Sequence, residues 1–170
     1  PTTICVIPRV LSTLPAGVAA GAQPTRINPV AFYAYDGFER RTQRVIWGVQ
    51  HYLYAYDGWE EVSELVPTQG AVATPVLQAT WGRELDELLA IRAISGSVVT
   101  TSFVAEGGAH CPQWLVDAGG SVLEHNQYSP FGVAVTFNGA GPQASSLSLS
   151  PFAWKGARLD SETGLLLIRY

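Results

Sequence analysis

The feature that most constrains this chain is a segment that occurs twice, with an offset of 21 residues (57 − 36) between the aspartates of its two copies. Phe-Tyr-Ala-Tyr-Asp-Gly-Phe at Phe32–Phe38 returns as Leu-Tyr-Ala-Tyr-Asp-Gly-Trp at Leu53–Trp59. Large residues alternate in each copy, which is typical of a strand with one buried face. Asp-Gly follows and favours a turn, because glycine accepts positive φ and aspartate hydrogen-bonds its own backbone. Each copy therefore predicts a strand that runs into a turn.

The segments after the two copies, Gln43–Trp47 and Val62–Val66, are predicted to be the returning strands of two hairpins. A hairpin unit of about 20 residues cannot bury its own face and must stack on its neighbours. The sequence therefore predicts an all-β fold of consecutive antiparallel hairpins, in a curved or spiral sheet that forms part of a shell or barrel. The predicted turn and repeat residues are Tyr35, Asp36, Gly37, Tyr56, Asp57 and Gly58, with weaker echoes at Asp117, Gly120, Pro130, Gly132, Asp160 and Gly164.

The composition limits the classes of function. Only 14% of the residues are charged, against about 25% in an ordinary soluble domain, and 47% are hydrophobic. Such a chain buries much of its surface internally or docks against something larger. The net charge is −4 and Lys155 is the only lysine, so nucleic-acid binding is not expected, because no basic stripe could neutralise phosphates. No membrane span is expected either, because no apolar run approaches about 20 residues.

The first 28 residues differ from the rest. Thr2–Ile7 is β-branched and apolar and predicts a strand, and the small residues of Ala16–Ala22, closed by Pro24, predict a linker. We interpret residues 1–28 as an N-terminal strand and linker, and residues 30–170 as the repeat region. The chain contains no methionine and begins at Pro1, so we interpret it as a piece of a longer polypeptide.

One segment has a different period. Leu85, Leu88, Leu89 and Arg92 have helical spacing within Arg83–Arg92, with acidic residues between them. On periodicity alone, this segment predicts a short amphipathic helix.

The Tyr-x-Tyr-Asp-Gly copies are similar to the YD repeats of RHS proteins, and later motifs follow in that family's order. Leu115–Val122 resembles the family's segment that ends in Gly-Ser-Val, and Tyr128–Gly132 resembles its Tyr-Asp-Pro-Phe-Gly, with Ser129 in place of the aspartate. Phe152–Tyr170 resembles the closing stretch, including Glu-Thr-Gly-Leu and Arg-Tyr. The resemblance covers roughly residues 30–170.

The resemblance implies a secreted or cell-surface protein. YD repeats in RHS proteins and toxin-complex components form hairpins of one long sheet, which spirals into a hollow shell around a toxic C-terminal domain, and teneurins use a similar shell in adhesion. The implied partners are other YD repeats or identical copies, with a C-terminal toxin as cargo. For Arg83–Arg92 the family pattern implies a loop and a strand. The family's aspartyl self-cleaving site lies in an Asp-Pro motif, and this chain has no Asp-Pro pair.

No arrangement of residues predicts an enzyme. Asp36 and Asp57 hold repeat-equivalent positions one hairpin apart, so they are turn residues and not a dyad that shares a proton. An acidic cluster beside Trp59 has the residue types of a glycosidase pair, but we interpret it as a solvated strand face. Its members are Glu60, Glu61 and Glu64. We predict no catalytic, cofactor or metal residues, and we expect a structural role. The alternative is an extracellular protein- or glycan-binding module that self-assembles by strand addition.

The two cysteines leave a choice open. Cys5 and Cys111 are far apart in sequence and could form one disulfide in an oxidising compartment. Two buried free thiols fit the sequence equally well, and no metal-ligand spacing involves either residue.

Overall fold

The computed structural model describes residues 2–6, 30–68, 72–138, 141–143 and 149–168. Twelve strands form one antiparallel sheet in chain order, and two more form a separate hairpin. The strands of the large sheet are β1 (Thr2–Val6), β2 (Ala31–Tyr35), β3 (Arg41–Ile46), β4 (Gln50–Asp57), β5 (Glu60–Pro67), β6 (Ala73–Trp81), β7 (Leu88–Ser95), β8 (Val98–Glu106), β9 (Pro112–Val116), β10 (Val122–Tyr128), β11 (Ala134–Asn138) and β12 (Gly141–Gln143). The separate hairpin is β13 (Arg158–Asp160) and β14 (Leu165–Leu167), and single 3-10 turns span Gly108–His110 and Trp154–Gly156.

The predicted all-β fold of consecutive antiparallel hairpins is confirmed. Each strand from β2 to β11 pairs with the strand before it and the strand after it. The barrel alternative is wrong for the described residues, because β1 and β12 are the two ends of the sheet and do not pair with each other. The predicted N-terminal strand is present as β1 and pairs with β2, so it joins the same sheet. The predicted linker, with Ala16–Ala22, lies outside the described residues.

A β-bulge recurs near the start of the returning strands. In β3, Gln43 pairs with Ala34 and Arg41 pairs with Tyr35, which leaves Thr42 as the extra residue between them. The same register shift leaves an extra residue in β5, β7 and β9: Val62, Leu89 and Gln113. A bulge inserts one residue into the two-residue alternation, so residues three apart face the same side. The pairs placed this way, all buried, are Arg41 and Arg44, Glu61 and Glu64, Leu88 and Ile91, and Pro112 and Leu115.

The helix predicted from the spacing in Arg83–Arg92 is wrong. Residues 83–86 form bends and a turn, and β7 begins at Leu88. The four residues with helical spacing belong to different elements, because Leu85 lies in the turn and Leu88, Leu89 and Arg92 lie in β7. Leu85 is 68% exposed and Leu89 42% exposed, so the leucines do not share one apolar face. The loop and strand implied by the family resemblance match the structure.

The apolar core lies where β6, β7 and β9 meet the C-terminal segment. Phe152 is 1% exposed and packs edge-on against Trp81, with 5.0 Å between ring centroids. The other members of the core are Ala79, Leu88, Ile91 and Leu115. One aromatic ring from residues 149–168 therefore fixes that segment to the middle of the large sheet.

Residues 149–168 lie against one face of the large sheet. The backbone N–H of Leu149 donates to Glu124 in β10 at 3.1 Å, whereas Phe152, three residues later, packs on Trp81 in β6. The segment therefore lies across strands β6 to β10 on one side of the sheet. We call the side toward residues 149–168 the inner face.

Replacing Gly58 with valine is expected to lower the free energy of unfolding by more than about 1 kcal/mol, because φ is +57° there and a β-branched residue resists that conformation. Thermal denaturation measures the change. Gly37→Val is the matched control, since Gly37 holds the same place in the other copy, without a positive φ and with open space around its Cβ. An equal loss of stability in both variants would contradict the assignment of strain to the turn at Gly58.

Candidate functional site

Seven charged side chains meet on the inner face between β2–β5 and the β13–β14 hairpin. The large sheet supplies two arginines from β3 and two glutamates from β5, and the hairpin supplies one arginine and two carboxylates. We call this set the charge cluster: Arg41, Arg44, Glu61, Glu64, Arg158, Asp160 and Glu162. At most 8% of any of these side chains is exposed. Burial of so many charges is tolerated only when each has a partner, because desolvation costs several kcal/mol per ion.

The pair between Arg41 and Asp160 is at the centre of the cluster. The two terminal nitrogens of Arg41 donate to the two carboxylate oxygens of Asp160 at 2.6 and 2.7 Å. This bidentate arrangement is the strongest geometry available to a carboxylate. Burial alone would lower the pKa of Arg41, but the hydrogen bonds and charge of Asp160 raise it above its ordinary value. Arg41 therefore stays charged, although both side chains are only 2% exposed.

The other two arginines link the sheet and the hairpin in opposite directions. Arg44, from the sheet, donates to Asp160 at 3.5 Å and Glu162 at 3.4 Å in the hairpin, and to Glu64 at 3.3 Å. Arg158, from the hairpin, donates to Glu61 and Glu64 of the sheet. Each side of the interface thus contributes both signs of charge, which fixes the register of the hairpin on the sheet.

Tyrosine rings contact the guanidinium groups of the charge cluster. Arg41 lies 4.4 Å from the ring centroid of Tyr33, and Arg158 lies 4.9 Å from that of Tyr54. The hydroxyl of Tyr33 donates to Glu162 at 3.0 Å. Cation–π contacts of desolvated guanidinium groups contribute about 2 kcal/mol or more. The alternating tyrosines of the repeated segment therefore line the cluster as well as pack the sheet.

Burial raises the pKa of Tyr54 to about 12, since desolvation disfavours the phenolate and outweighs the charge of Arg158, which lowers the pKa. Desolvation also raises the pKa of Tyr33 above its ordinary value. Both tyrosines therefore stay neutral beside the arginines at physiological pH.

We expect the protein to lose stability between pH 10 and about 12. An unfolded tyrosine releases its proton near pH 10, whereas folded Tyr54 holds its proton until about pH 12. A raised pKa in the folded state contributes stability below the unfolded pKa and loses it as the pH rises through the folded value. A pKa difference of two units between the folded and unfolded states corresponds to about 3 kcal/mol of unfolding free energy. Urea denaturation of the wild type and of Tyr54→Phe across this range measures the effect. The variant should lose less stability, and equal slopes would contradict the assignment.

A second polar group lies further along the inner face. Glu124 and Asn126 in β10 are 1% and 0% exposed, and the Asn126 amide donates to Glu124 at 3.1 Å. The Thr136 hydroxyl in β11 donates to the side-chain amide oxygen of Asn126 at 2.7 Å, and the Leu149 N–H donates to the Glu124 carboxylate at 3.1 Å. This chain of hydrogen bonds ties the start of residues 149–168 to the sheet. Its link to Leu149, like the links in the charge cluster, depends on a carboxylate.

Several predicted turn residues lie outside the inner-face site, at the tips of hairpins. Asp36 accepts hydrogen bonds from the backbone of Phe38 at 2.9 Å and of Arg40 at 3.0 Å. Desolvation pushes its pKa upward, but the hydrogen bonds from the Arg40 side chain and from the two N–H groups lower it below 3.8. Asp117 accepts in the same way from Gly119 and Ser121 in the β9–β10 turn.

The two Asp-Gly copies form turns of different length. Asp57 is exposed and pairs directly with Glu60, so Gly58 and Trp59 make a two-residue turn. The first copy needs a longer loop between Tyr35 and Arg41. Tyr35 and Tyr56 lie in β2 and β4, Gly37 and Pro130 lie in turns, and positive φ occurs at Gly58, Gly120, Gly132 and Gly164. Of the predicted turn residues, the structure brings only Asp160 into the charge cluster.

Asp160 has two roles. Its backbone carbonyl accepts from Gly164 at 2.7 Å and from Thr163 at 3.1 Å and closes the β13–β14 turn. Its carboxylate belongs to the charge cluster.

The interpretation of the acidic cluster beside Trp59 as a solvated strand face is wrong. Glu61 and Glu64 are 3% and 5% exposed and bind Arg158, while Glu60 is half-buried. The bulge at Val62 turns both glutamates to the inner face. A sequence signal for the cluster exists: Arg41 and Arg44 have the same three-residue spacing as Glu61 and Glu64, in successive copies of the repeat.

The cysteine question stays open. Cys111 is buried, and its sulfur lies 3.7 Å from the carbonyl oxygen of Ala109. The side chain of Cys5 lies outside the described residues. The pairing of Cys5 with Cys111 therefore stays a prediction.

The geometry of the charge cluster is suited to fixing the β13–β14 hairpin on the sheet rather than to a chemical reaction. Every carboxylate in it accepts from at least one guanidinium, so each is charge-compensated where it lies. Within the described ranges, histidine, cysteine and acidic side chains form no group suited to hold a metal ion. In the same part of the chain, no helix has the length and apolarity to span a membrane.

Comparison with known proteins assigns neither a family nor a function to the chain. No protein-family model matches the chain, and no curated protein matches it.

Proposed function

We propose that the chain is a structural segment of a secreted shell of the RHS/YD-repeat type. In this proposal the hairpins of the large sheet build the wall, and residues 149–168 lie against its inner face. The shell would enclose or present a C-terminal toxin or interaction domain of the parent polypeptide. The observation that carries the proposal is the open sheet of consecutive hairpins with the β13–β14 hairpin docked on its inner face through buried charges.

Two further features support a wall. Each strand from β2 to β11 is hydrogen-bonded on both sides, so the sheet is a continuous surface. Its two end strands, β1 and β12, each leave one edge without a partner strand in the described part of the chain. An open edge accepts another strand through its backbone groups, so further repeats would extend the wall at either end.

Imaging of the parent polypeptide by cryo-electron microscopy tests this proposal. We expect the twelve strands to continue into neighbouring hairpins as the wall of a hollow particle. A parent protein in which both end strands stop in solvent, with no enclosed volume, would overturn it.

The second candidate is an extracellular binding module that assembles by strand addition. The open edges of β1 and β12 favour it, because they are the places where identical copies would join. Sedimentation of the isolated chain separates the two candidates. A concentration-dependent series of oligomers supports assembly by the chain itself, whereas a monomer at all concentrations supports a wall that needs the rest of the parent.

A further inference from the structure

We infer that the β13–β14 hairpin is an acid-opened latch, held on the inner face by charge and released when the carboxylates of the cluster are neutralised. The inference concerns regulation of the charge cluster, and its biological meaning rests on the proposed function. Its physical content concerns only this chain.

The first step is the way in which the hairpin is attached. β13 and β14 form a sheet of their own and share no backbone ladder with the large sheet. Besides a 3.5 Å contact between the hydroxyls of Tyr33 and Thr163, seven hydrogen bonds join the hairpin to strands β2–β5, and these seven have a carboxylate as the acceptor. Loss of negative charge therefore weakens all of these bonds together.

The second step is what remains after neutralisation. Protonation removes the negative charge that compensates Arg41, Arg44 and Arg158, while these guanidinium groups keep their positive charge at any acidic pH. Three buried positive charges would then face one another without counter-ions. The effective cost of an uncompensated buried ion is several kcal/mol. Separation of the two surfaces lets water solvate the arginines, so acid favours the open state.

The third step is that every group facing the cluster acts in the same direction. From the large sheet, the titratable groups are tyrosines with raised pKa values at Tyr33 and Tyr54, which are already neutral and cannot supply negative charge in acid. Tyr35 and Tyr52 also face the arginines. Tyr33 and Tyr54 therefore do not replace the lost negative charge.

The fourth step concerns Phe152, the point about which the hairpin moves. Phe152 is held by apolar contacts in the core with Trp81 and Leu115, and these contacts do not titrate. The hairpin is joined to this anchor through the bridge between Phe152 and Arg158. Opening therefore swings the hairpin away from β2–β5 and uncovers Tyr33 and Tyr54, while Phe152 stays in place.

Hydroxyl-radical footprinting of the full chain, read by mass spectrometry, measures this movement. Carboxylates that are exposed to water take up protons below about pH 4, so acid stabilises the open state relative to the closed one. We therefore expect oxidation of Tyr33 and Tyr54 to rise several-fold between pH 7 and about pH 3. Phe152 and Leu115 should stay protected over the same range. If all four residues become oxidised together, the sheet has unfolded as a whole and the latch is wrong, and it is equally wrong if none of them changes.

A variant reproduces the neutral state without acid. Asp160→Asn at pH 7 should raise oxidation of Tyr33 several-fold, and Asp117→Asn is the matched control, because Asp117 closes a turn outside the cluster. If Asp160→Asn exposes Phe152 as well, the test is repeated with Glu162→Gln, which removes one carboxylate charge from the edge of the cluster. In Glu162→Gln the latch requires that Tyr33 becomes reactive while Phe152 stays protected. Wild-type protection in Glu162→Gln, or joint exposure of both residues, would overturn the latch.

These results do not depend on the parent polypeptide. A latch that fails to open leaves a rigid wall segment and does not affect the imaging test of the shell. A parent without a hollow particle removes the shell but leaves the footprinting result as it stands.

Discussion

Replacement of Arg41 by alanine is expected to lower the free energy of unfolding by about 3–5 kcal/mol. The substitution leaves the carboxylate of Asp160 buried at 2% exposure without its bidentate partner. It also removes the guanidinium from the ring of Tyr33. Urea denaturation followed by circular dichroism measures the change.

Arg40→Ala is the matched control for this prediction. Arg40 precedes Arg41 directly and pairs with Asp36, but its side chain is 26% exposed. Exposed ion pairs contribute about 0–1 kcal/mol. We therefore expect Arg41→Ala to lose much more stability than Arg40→Ala. Similar losses of unfolding free energy in the two variants would contradict the role of the buried pair.

Phe152→Ala is expected to lower the free energy of unfolding by about 3–5 kcal/mol, the range for removal of a buried aromatic ring. The ring is 1% exposed, and its loss empties the centre of the apolar core beside Trp81. It also removes the apolar anchor of residues 149–168. Phe131→Ala, at a side chain that is 89% exposed, should change stability by less than about 0.5 kcal/mol. A Phe152→Ala variant as stable as Phe131→Ala would show that the segment does not pack on the sheet.

The sequence predicts the hairpins because their signals are local. Alternation in Phe32–Phe38 and Leu53–Trp59, followed by Asp-Gly, specifies a strand and its turn within a few residues. The structure ends β2 at Tyr35 and β4 at Asp57, in agreement with that pattern. Asp36 stabilises its turn through neighbouring N–H groups, which is also a local effect.

The inner face could not be predicted from alternation, because bulges change its period. The extra residues Thr42, Val62 and Leu89 convert a spacing of two into a spacing of three. Under strict alternation, Arg41 and Arg44 would face opposite sides of the sheet. The same shift sets Leu88 and Ile91 on one buried face, and likewise Glu61 and Glu64, where strict alternation would separate the members of each pair.

The charge cluster also depends on contacts that are distant in sequence. Arg41 and Asp160 are 119 residues apart, and nothing local to either residue indicates the other. The sequence predicts Asp160 only as a turn residue, and its carbonyl does close the β13–β14 turn. Its carboxylate reaches Arg41 because the hairpin docks on β2–β5, and docking depends on the arrangement of many strands together.

The most direct test of the central claim is a double-mutant cycle between Arg41 and Asp160. The claim is that the C-terminal hairpin lies on the inner face of the large sheet and is fixed there by buried charge. The cycle compares the unfolding free energies of the wild type, Arg41→Ala, Asp160→Ala and the double variant. We predict a coupling energy of at least about 1.5 kcal/mol, as measured for close charge pairs. Additivity within about 0.5 kcal/mol, typical of residues that do not touch, would contradict the account.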